Sequence, residues 1–347
     1  MARVSGCHLV GSVPLEDTET VFCRCIGKLS GRLGSIPDGE TGSRTMFTQF
    51  QRAFFPQVML RESRGPDFET YTEDEIAAGI RLLEENSHLP TGYEDAAITS
   101  YNKFKKLQNE GTIPNGIKFQ VCLPTIANVV GVMVKSPFQA RVEPIYERAL
   151  FRSLRAIQDS IPHEDLAIQI DMGMDLSFWE DLFLKPWFQD RNYVVEYIVR
   201  MIGQVAYDVE LGLHFCYGDI NHQHYTEPES LASVVDIGQR VMSRSPHKIS
   251  WAHFPVPVSA MDRLDTYYAP LATIKSELEK HKTKLYLGVV QYNDLPGTEK
   301  RIEAASRVVS DFGVAAECGF GRTPVEEIDN ILEIMKSVST PLERNKL

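Results

Sequence analysis

The feature that most constrains this chain is a count of eight. Short apolar or β-branched runs recur along it, each closed by Gly, Pro or polar residues: CHLVGS (7–12), LGSIPDGE (33–40), IKFQVCLP (117–124), LAIQIDMG (166–173), LGLHFCYG (211–218), KISWAHFP (248–255), LYLGVVQ (285–291) and VAAECGFG (314–321). Stretches of helical period separate most of them, at 144–158, 193–207, 228–242, 298–312 and 323–338. The last of these offers Thr323 as N-cap and Pro324 at the first helical position. Strands alternating with helices predict an α/β fold with a parallel sheet. A count of eight favours closure into a (β/α)8 TIM barrel over an open sheet. At 347 residues the chain has room for one such barrel domain over 1–347, with insertions.

The interval 41–116 is too long for a simple connection and is polar, with RESRGPDFETYTEDE inside it. It reads as an insertion after strand two with its own helices, notably at 74–87. Such a segment sits close to the face that carries barrel active sites and is a candidate lid. A packing decoration away from that face is the alternative. No internal repeat or low-complexity tract is seen.

Charge and composition exclude several classes of function. The net charge of -11 gives no positive field for nucleic acid or an anionic membrane. No segment approaches the roughly 18 apolar residues needed to span a bilayer. The N-terminus is broken by Gly and Pro and reads as a first strand, not as the apolar core of a signal peptide. The expectation is a soluble cytoplasmic protein that acts on a small molecule. Homo-oligomerisation is left open. Six irregularly spaced cysteines suggest reduced thiols or metal ligands in place of a disulfide framework.

In a parallel barrel the active site is built on the carboxyl ends of the strands. The polar residues there are Ser12, Glu40, Asp171, His214, Cys216, His253, Gln291 and Cys318. His214 and Cys216 are two apart on one strand, hence on one face. With Cys318 at the end of the last strand they form a three-donor set of the kind a catalytic zinc takes. Taken alone, H-x-C is weak, since Cys and His are common core residues. Other candidates are weaker. Cys23 and Cys25 fall on a helix, point apart, and read as core or interface cysteines. Cys7 and His8 face opposite ways on a strand. His222 and His224 read as exposed loop histidines. Glu40 and Asp171 are either carboxylates paired with arginines or a grip for an amino group. GFGR (319–322) precedes the last helix in the manner of an anion-binding turn.

Several segments resemble the catalytic barrel of cobalamin-independent methionine synthase. LHFCYGDIN (213–221) and AAECGFGRTP (315–324) resemble its two zinc motifs. VGSVP (10–14) looks like its G-S-F/L-P turn, DGETGSR (38–44) its G-E-x-x-R, and AIQID (167–171) its I-Q-I-D-E-P strand. The order is the family's and the matches cover nearly the whole chain. The wider superfamily includes uroporphyrinogen decarboxylase and epoxyalkane:coenzyme M transferase, all on one (β/α)8 barrel. The resemblance implies zinc held by His214, Cys216 and Cys318. It implies that Glu40 and Asp171 hold the amino group of an amino-acid-like thiol, with Gly11 and Ser12 at its carboxylate. Arg44 and Asn293 join the substrate-binding candidates, and Asp171 and His253 are the catalytic candidates.

There are departures from that pattern. The family's fourth zinc ligand, a Glu on strand six, is replaced by Ala252 in ISWAHF. The adjacent His253 should face the other way on a regular strand and would serve only with a bulge. The family's acid histidine aligns with Asn293. Strand four loses its Glu-Pro, reading Asp171-Met172-Gly173. These losses argue against methionine synthesis itself. They leave a zinc-dependent transferase that activates a thiol for attack on an alkyl or epoxide carbon. The alternatives are a metal-free lyase or decarboxylase using Asp171, Arg44 and Arg322, and a barrel that binds a small molecule without catalysis.

Overall fold

A computed structural model describes residues 2–62, 70–85, 89–182, 184–218 and 223–343. Eight strands are found among them: β1 (Arg3–His8), β2 (Ser35–Pro37), β3 (Lys118–Pro124), β4 (Leu166–Met172), β5 (Glu210–Phe215), β6 (Trp251–Pro255), β7 (Lys284–Val290) and β8 (Asp311–Ala316). All ladders are parallel, in the order β1-β8-β7-β6-β5-β4-β3-β2. Parallel bridges Cys7–Leu33 and Ser12–Gly39 join β1 to the β2 region and close the ring. The chain is a (β/α)8 barrel.

The helices are α1 (Thr18–Lys28), α2 (Glu73–Glu85), α3 (Tyr93–Asn109), α4 (Ser136–Ser160), α5 (Met174–Trp179), α6 (Tyr193–Ile202), α7 (Ala232–Arg244), α8 (Leu264–Tyr268), α9 (Leu271–His281), α10 (Leu295–Ser306) and α11 (Ile328–Ser337). Each amphipathic helix turns an apolar stripe onto the sheet; α6, for instance, buries Val194, Val195, Ile198, Met201 and Ile202. None of the helices is long and apolar enough to cross a membrane, among the described residues.

Element boundaries differ from the sequence reading where local chemistry overrides period. Helix α4 begins at Ser136 and runs through Pro144, which was expected to open it. Strand β8 ends at Ala316, so CGFG lies beyond it as a turn. The last helix opens with a 3-10 turn, Val325–Glu327, preceded by Pro324. Thr323 therefore does not cap it. Of the expected helix at 74–87, residues 86–87 lie outside the described residues.

Barrel interiors are filled by side chains that point inward from the strands. Here Trp251 and Tyr286 are the large fillers. Gly212 and Gly313 lie opposite them, and a Cβ at Gly212 would fall 1.8 Å from the Trp251 ring. A polar layer continues upward. His8 Nε2 and Gln169 Oε1 are 2.7 Å apart, and burial pulls the His8 imidazole down to about 3, so it is neutral. Gln169 donates in turn to Val10 O and to Asp171 Oδ1, at 2.6 and 2.8 Å.

The 41–116 interval divides in two. Met46–Gln49 reach the mouth of the barrel and line its cavity. Helices α2 and α3 pack on α4, and α3 also on α1, and no described residue of either helix lines that cavity.

Candidate metal centre

His214 ends the inward face of β5. The strand stops at Phe215, but Cys216 N still donates to Met172 O at 3.0 Å. That bond carries the strand geometry one residue further, so Cys216 stays on the His214 side and both line the cavity. Cys318 lies in the turn two residues past β8. One donor atom from each of His214, Cys216 and Cys318 falls within 4.8 Å of the others. His214 Nε2 and Cys318 Sγ are 3.9 Å apart. Zn–S near 2.3 Å and Zn–N near 2.0 Å in a tetrahedral site put a nitrogen and a sulfur about 3.5 Å apart. That pair therefore lies within a few tenths of an ångström of the spacing one zinc would set, and the chemistry of the three donors is that of a zinc site. Without a cation, hydrogen bonding to Cys216 and then burial push the Cys318 thiol well up.

His253 departs from expectation. It was expected to face away from the cavity with Ala252 turned inward. The pairing of β5 with β6 sets His253 beside His214 and Ala252 beside Leu213, so the phase is the reverse. Ala252 is buried in the outer core with Phe254, and His253 fills the barrel with no bulge. His253 is fully buried, and its imidazole is pulled well down by burial and by its His214 and His8 neighbours.

Its contacts fix the tautomer of His214. His253 Nε2 lies 3.1 Å from the Ala316 carbonyl, which only accepts, so Nε2 carries the proton. In neutral His253, Nδ1 is then an acceptor. It lies 2.7 Å from His214 Nδ1, which must donate to it. In the neutral form of His214 the lone pair then falls on Nε2, on the side of the two cysteines. Metal-binding histidines usually have their second nitrogen held this way.

Across the cavity, Glu40 and Asp171 are both buried. Burial pushes the Glu40 carboxyl up, opposed by the Ser12 hydroxyl that donates to it and by Arg44. Burial, and then the Glu40 charge, push Asp171 well up. Glu40 has φ 49°, a left-handed conformation uncommon for a residue with a side chain, and Asp38 Oδ1 accepts its N–H at 2.9 Å. Gly11 and Ser12 line the same wall.

Two expected substrate contacts are not brought there. Arg44 is paired with Asp38 behind Glu40, outside the main cavity. Asn293 is exposed in the turn after β7, and its N–H donates to Asn330 Oδ1 at 2.8 Å. Gln291 is directed to Glu317, at 3.4 Å. The glycines of GFGR pack on the β1 turn, with Phe320 N donating to Ser12 O at 2.7 Å, and the helix begins only at Ile328. Cys25 is buried in the core and Cys23 is exposed.

Several lining residues escaped the sequence reading. His224 is not an exposed loop histidine. Its side chain is 13% exposed and lies between Glu227 and Glu317, at 2.9 and 3.0 Å. Burial pulls its imidazole down, but the two carboxylates more than reverse this and raise it to about 9. His222 lies outside the described residues. Tyr225 follows, and its hydroxyl donates to Gly173 O at 2.8 Å. Asn128, in a π-helical turn (Ala127–Gly131), donates to Asp171 O and accepts from Met174 N, at 2.8 and 2.9 Å. Irregular π turns often mark functional sites. A π turn leaves no signature in the period of ANVVG.

The cavity enclosed by these groups has a volume of about 390 Å³. No family model matches the chain, and no curated protein matches it. Among solved structures, a putative vitamin-B12-independent methionine synthase from Listeria monocytogenes is similar at a TM-score of 0.51 and 14% identity, over 97% of each chain. A B12-independent methionine synthase from a Shewanella species, in complex with selenomethionine, gives a TM-score of 0.47 at 12% identity. That match covers 71% of this chain and 64% of the other, so the chain spans less than two thirds of that protein's length. A methyltransferase from Methanosarcina mazei gives 0.43 at 11% identity, over 97% and 94%. The chain thus shares the (β/α)8 fold of a methionine-synthase-like structure at an identity that speaks to fold alone.

Proposed function

We propose that this protein is a zinc-dependent transferase that activates a small amino-acid-like thiol for attack on an alkyl carbon. The observation that carries the reading is convergence. An imidazole nitrogen with its lone pair free and two cysteine sulfurs meet on one side of an enclosed cavity. Three protein donors leave one tetrahedral position for a substrate sulfur. Zinc in that set would lower the pKa of a coordinated thiol enough for it to react as a thiolate near neutral pH.

The remaining groups do the positioning. Glu40 and Asp171 repel each other in a dry site, and a substrate ammonium between them relieves that repulsion. Ser12 holds Glu40, and the Gln169 amide holds Asp171, so the two carboxylates face the cavity in fixed orientations. A thiol with a cationic amine would then lie across the cavity, amine on one side and sulfur on the other. The replacement of the expected acid histidine by Asn293, which is exposed and does not line the cavity, weighs against methionine synthesis itself.

The test is metal analysis of protein purified without chelator, paired with an alkylation assay using an amino thiol. About one zinc per chain is expected, with turnover lost on chelation and restored by zinc. Protein that neither holds nor responds to zinc would end this reading. Turnover that survives Cys216→Ala and Cys318→Ala but not Asp171→Asn would point instead to the metal-free lyase.

A further inference from the structure

Above the strand ends the cavity changes character. Its wall there includes Met46 and Phe47 from the segment after β2, with Thr48 and Gln49 following them, Val132 after the π turn, and Met174 and Leu184 from the connection after β4. The five apolar side chains carry neither a charge nor a strong hydrogen-bonding group, and Thr48 and Gln49 are uncharged. The cationic side chains among the described lining residues are Arg322 and His224. Arg322 acts on the Glu40 carboxylate, and His224 lies between Glu227 and Glu317. A polyanionic donor entering here would meet Glu40 and Asp171, with His224 already held by Glu227 and Glu317.

Phe47 adds a second observation. Its φ is 52°, the left-handed region, which is a genuine outlier for a bulky residue. Strained backbone of this kind clusters at ligand sites, where the surrounding structure holds it. Here it sets an aromatic ring on the cavity wall in a segment that leaves neighbouring Met46 half exposed at the mouth.

We propose that the second substrate is an uncharged alkyl electrophile whose hydrocarbon part is buried against Met46, Phe47, Val132, Met174 and Leu184; this rests on the thiol activation proposed above. For a terminal epoxide the step balances as an addition. The sulfur forms the bond to carbon, the carbon–oxygen bond opens, and its electron pair stays on oxygen. That oxygen takes up the proton lost by the thiol, and no further reactant is needed.

The wall is tested by titrating the zinc-loaded full chain with inert primary alkanols, from propanol to octanol, by calorimetry. Affinity should rise about fourfold per added methylene while the wall is being filled. Phe47→Gly removes the ring and suits a positive φ, so it should fold and flatten the series to less than about twofold per methylene. Leu184→Ala should also flatten it. A series that is flat in the wild type, or unchanged in both variants, overturns the proposal. Alkylation run alongside separates the two claims. A steep alkanol series without zinc-dependent alkylation would sink thiol activation alone. Alkylation equally fast with charged and uncharged electrophiles would sink the apolar wall alone.

Discussion

The two halves of the barrel mouth are built differently. The β5–β8 half carries the three candidate metal donors on strand ends and the short turns beyond them, and the polar contacts of His214 run down into the barrel, through His253 to the Ala316 carbonyl. The β1–β4 half carries two desolvated carboxylates, a π turn, the two cavity-lining non-glycine residues at positive φ (Glu40 and Phe47) and the apolar wall, most of it on longer connections. On the proposed function, one half needs donors in fixed geometry, which regular strands supply. The other would fit the body of the proposed substrate, which irregular connections supply. If the division is real, substitutions on the two sides should fail in different ways.

The largest effect belongs to the donors. His214→Ala, Cys216→Ser or Cys318→Ser should each take zinc from about one per chain to near none and cut turnover more than about a hundredfold, beyond what a partner to a ligand contributes. Metal content by mass spectrometry and initial rates would check it. A variant with full zinc and normal rate would remove that residue from the set. His253→Ala comes next, with zinc affinity falling about 10–100-fold and the thiol KM little changed. His253→Gln should recover much of this, because an amide can accept from His214 and donate to Ala316 O as the imidazole does.

His253 also shows where sequence reading succeeds and where it stops. The strand count and the convergence of the His214, Cys216 and Cys318 side chains were legible, because period-two alternation and strand-end placement follow from local sequence. The phase of β6 was not, since it was taken from an aligned family position. Two sequence signals had the right answer. GLHF and WAHF place each histidine at the same distance before a phenylalanine, and Phe215 and Phe254 do pack edge to face on the outer side, 5.4 Å apart. Gly212 opposite Trp251 marks the same inward phase two residues earlier. Asn128, His224 and the apolar wall were not legible, because each sits on a connection whose position depends on tertiary packing. The place of Arg44 was not legible for the same reason. Its partner Asp38 is nearby in sequence, but only the backbone turn at Glu40 decides that both lie behind the cavity.

On the β1–β4 side the expected failure is in substrate binding. Asp171→Asn should raise KM for an amino thiol about 10–100-fold, the range of a charge-assisted hydrogen bond, and leave zinc content intact. A thiol lacking the amine should be much less affected. The same substitution should not cost stability. Burial and Glu40 raise the Asp171 pKa in the folded chain, so the folded state binds the proton more tightly than the unfolded one. That penalty is absent below the unfolded value and grows as pH rises through the raised folded value. Thermal melts should show the wild type losing stability with rising pH across that window, with a smaller slope in Asp171→Asn. An equal slope in both would mean that Asp171 is not the group responsible.

The smallest effect sharpens the boundary between the halves. Asn128 ties the Asp171 carbonyl to the Met174 N–H, on the carboxylate side, while the Gly173 between them lies close to the Cys216 sulfur. Asn128→Ala leaves a buried N–H without its acceptor and should cost about 1–3 kcal/mol, visible as a drop of a few degrees in Tm. If the division holds, zinc content stays near one per chain and the amino-thiol KM rises only severalfold, because Asp171 keeps its Gln169 partner while its backbone loosens. Loss of zinc in this variant would show that Gly173 transmits strain to Cys216, and that the two halves act as one unit.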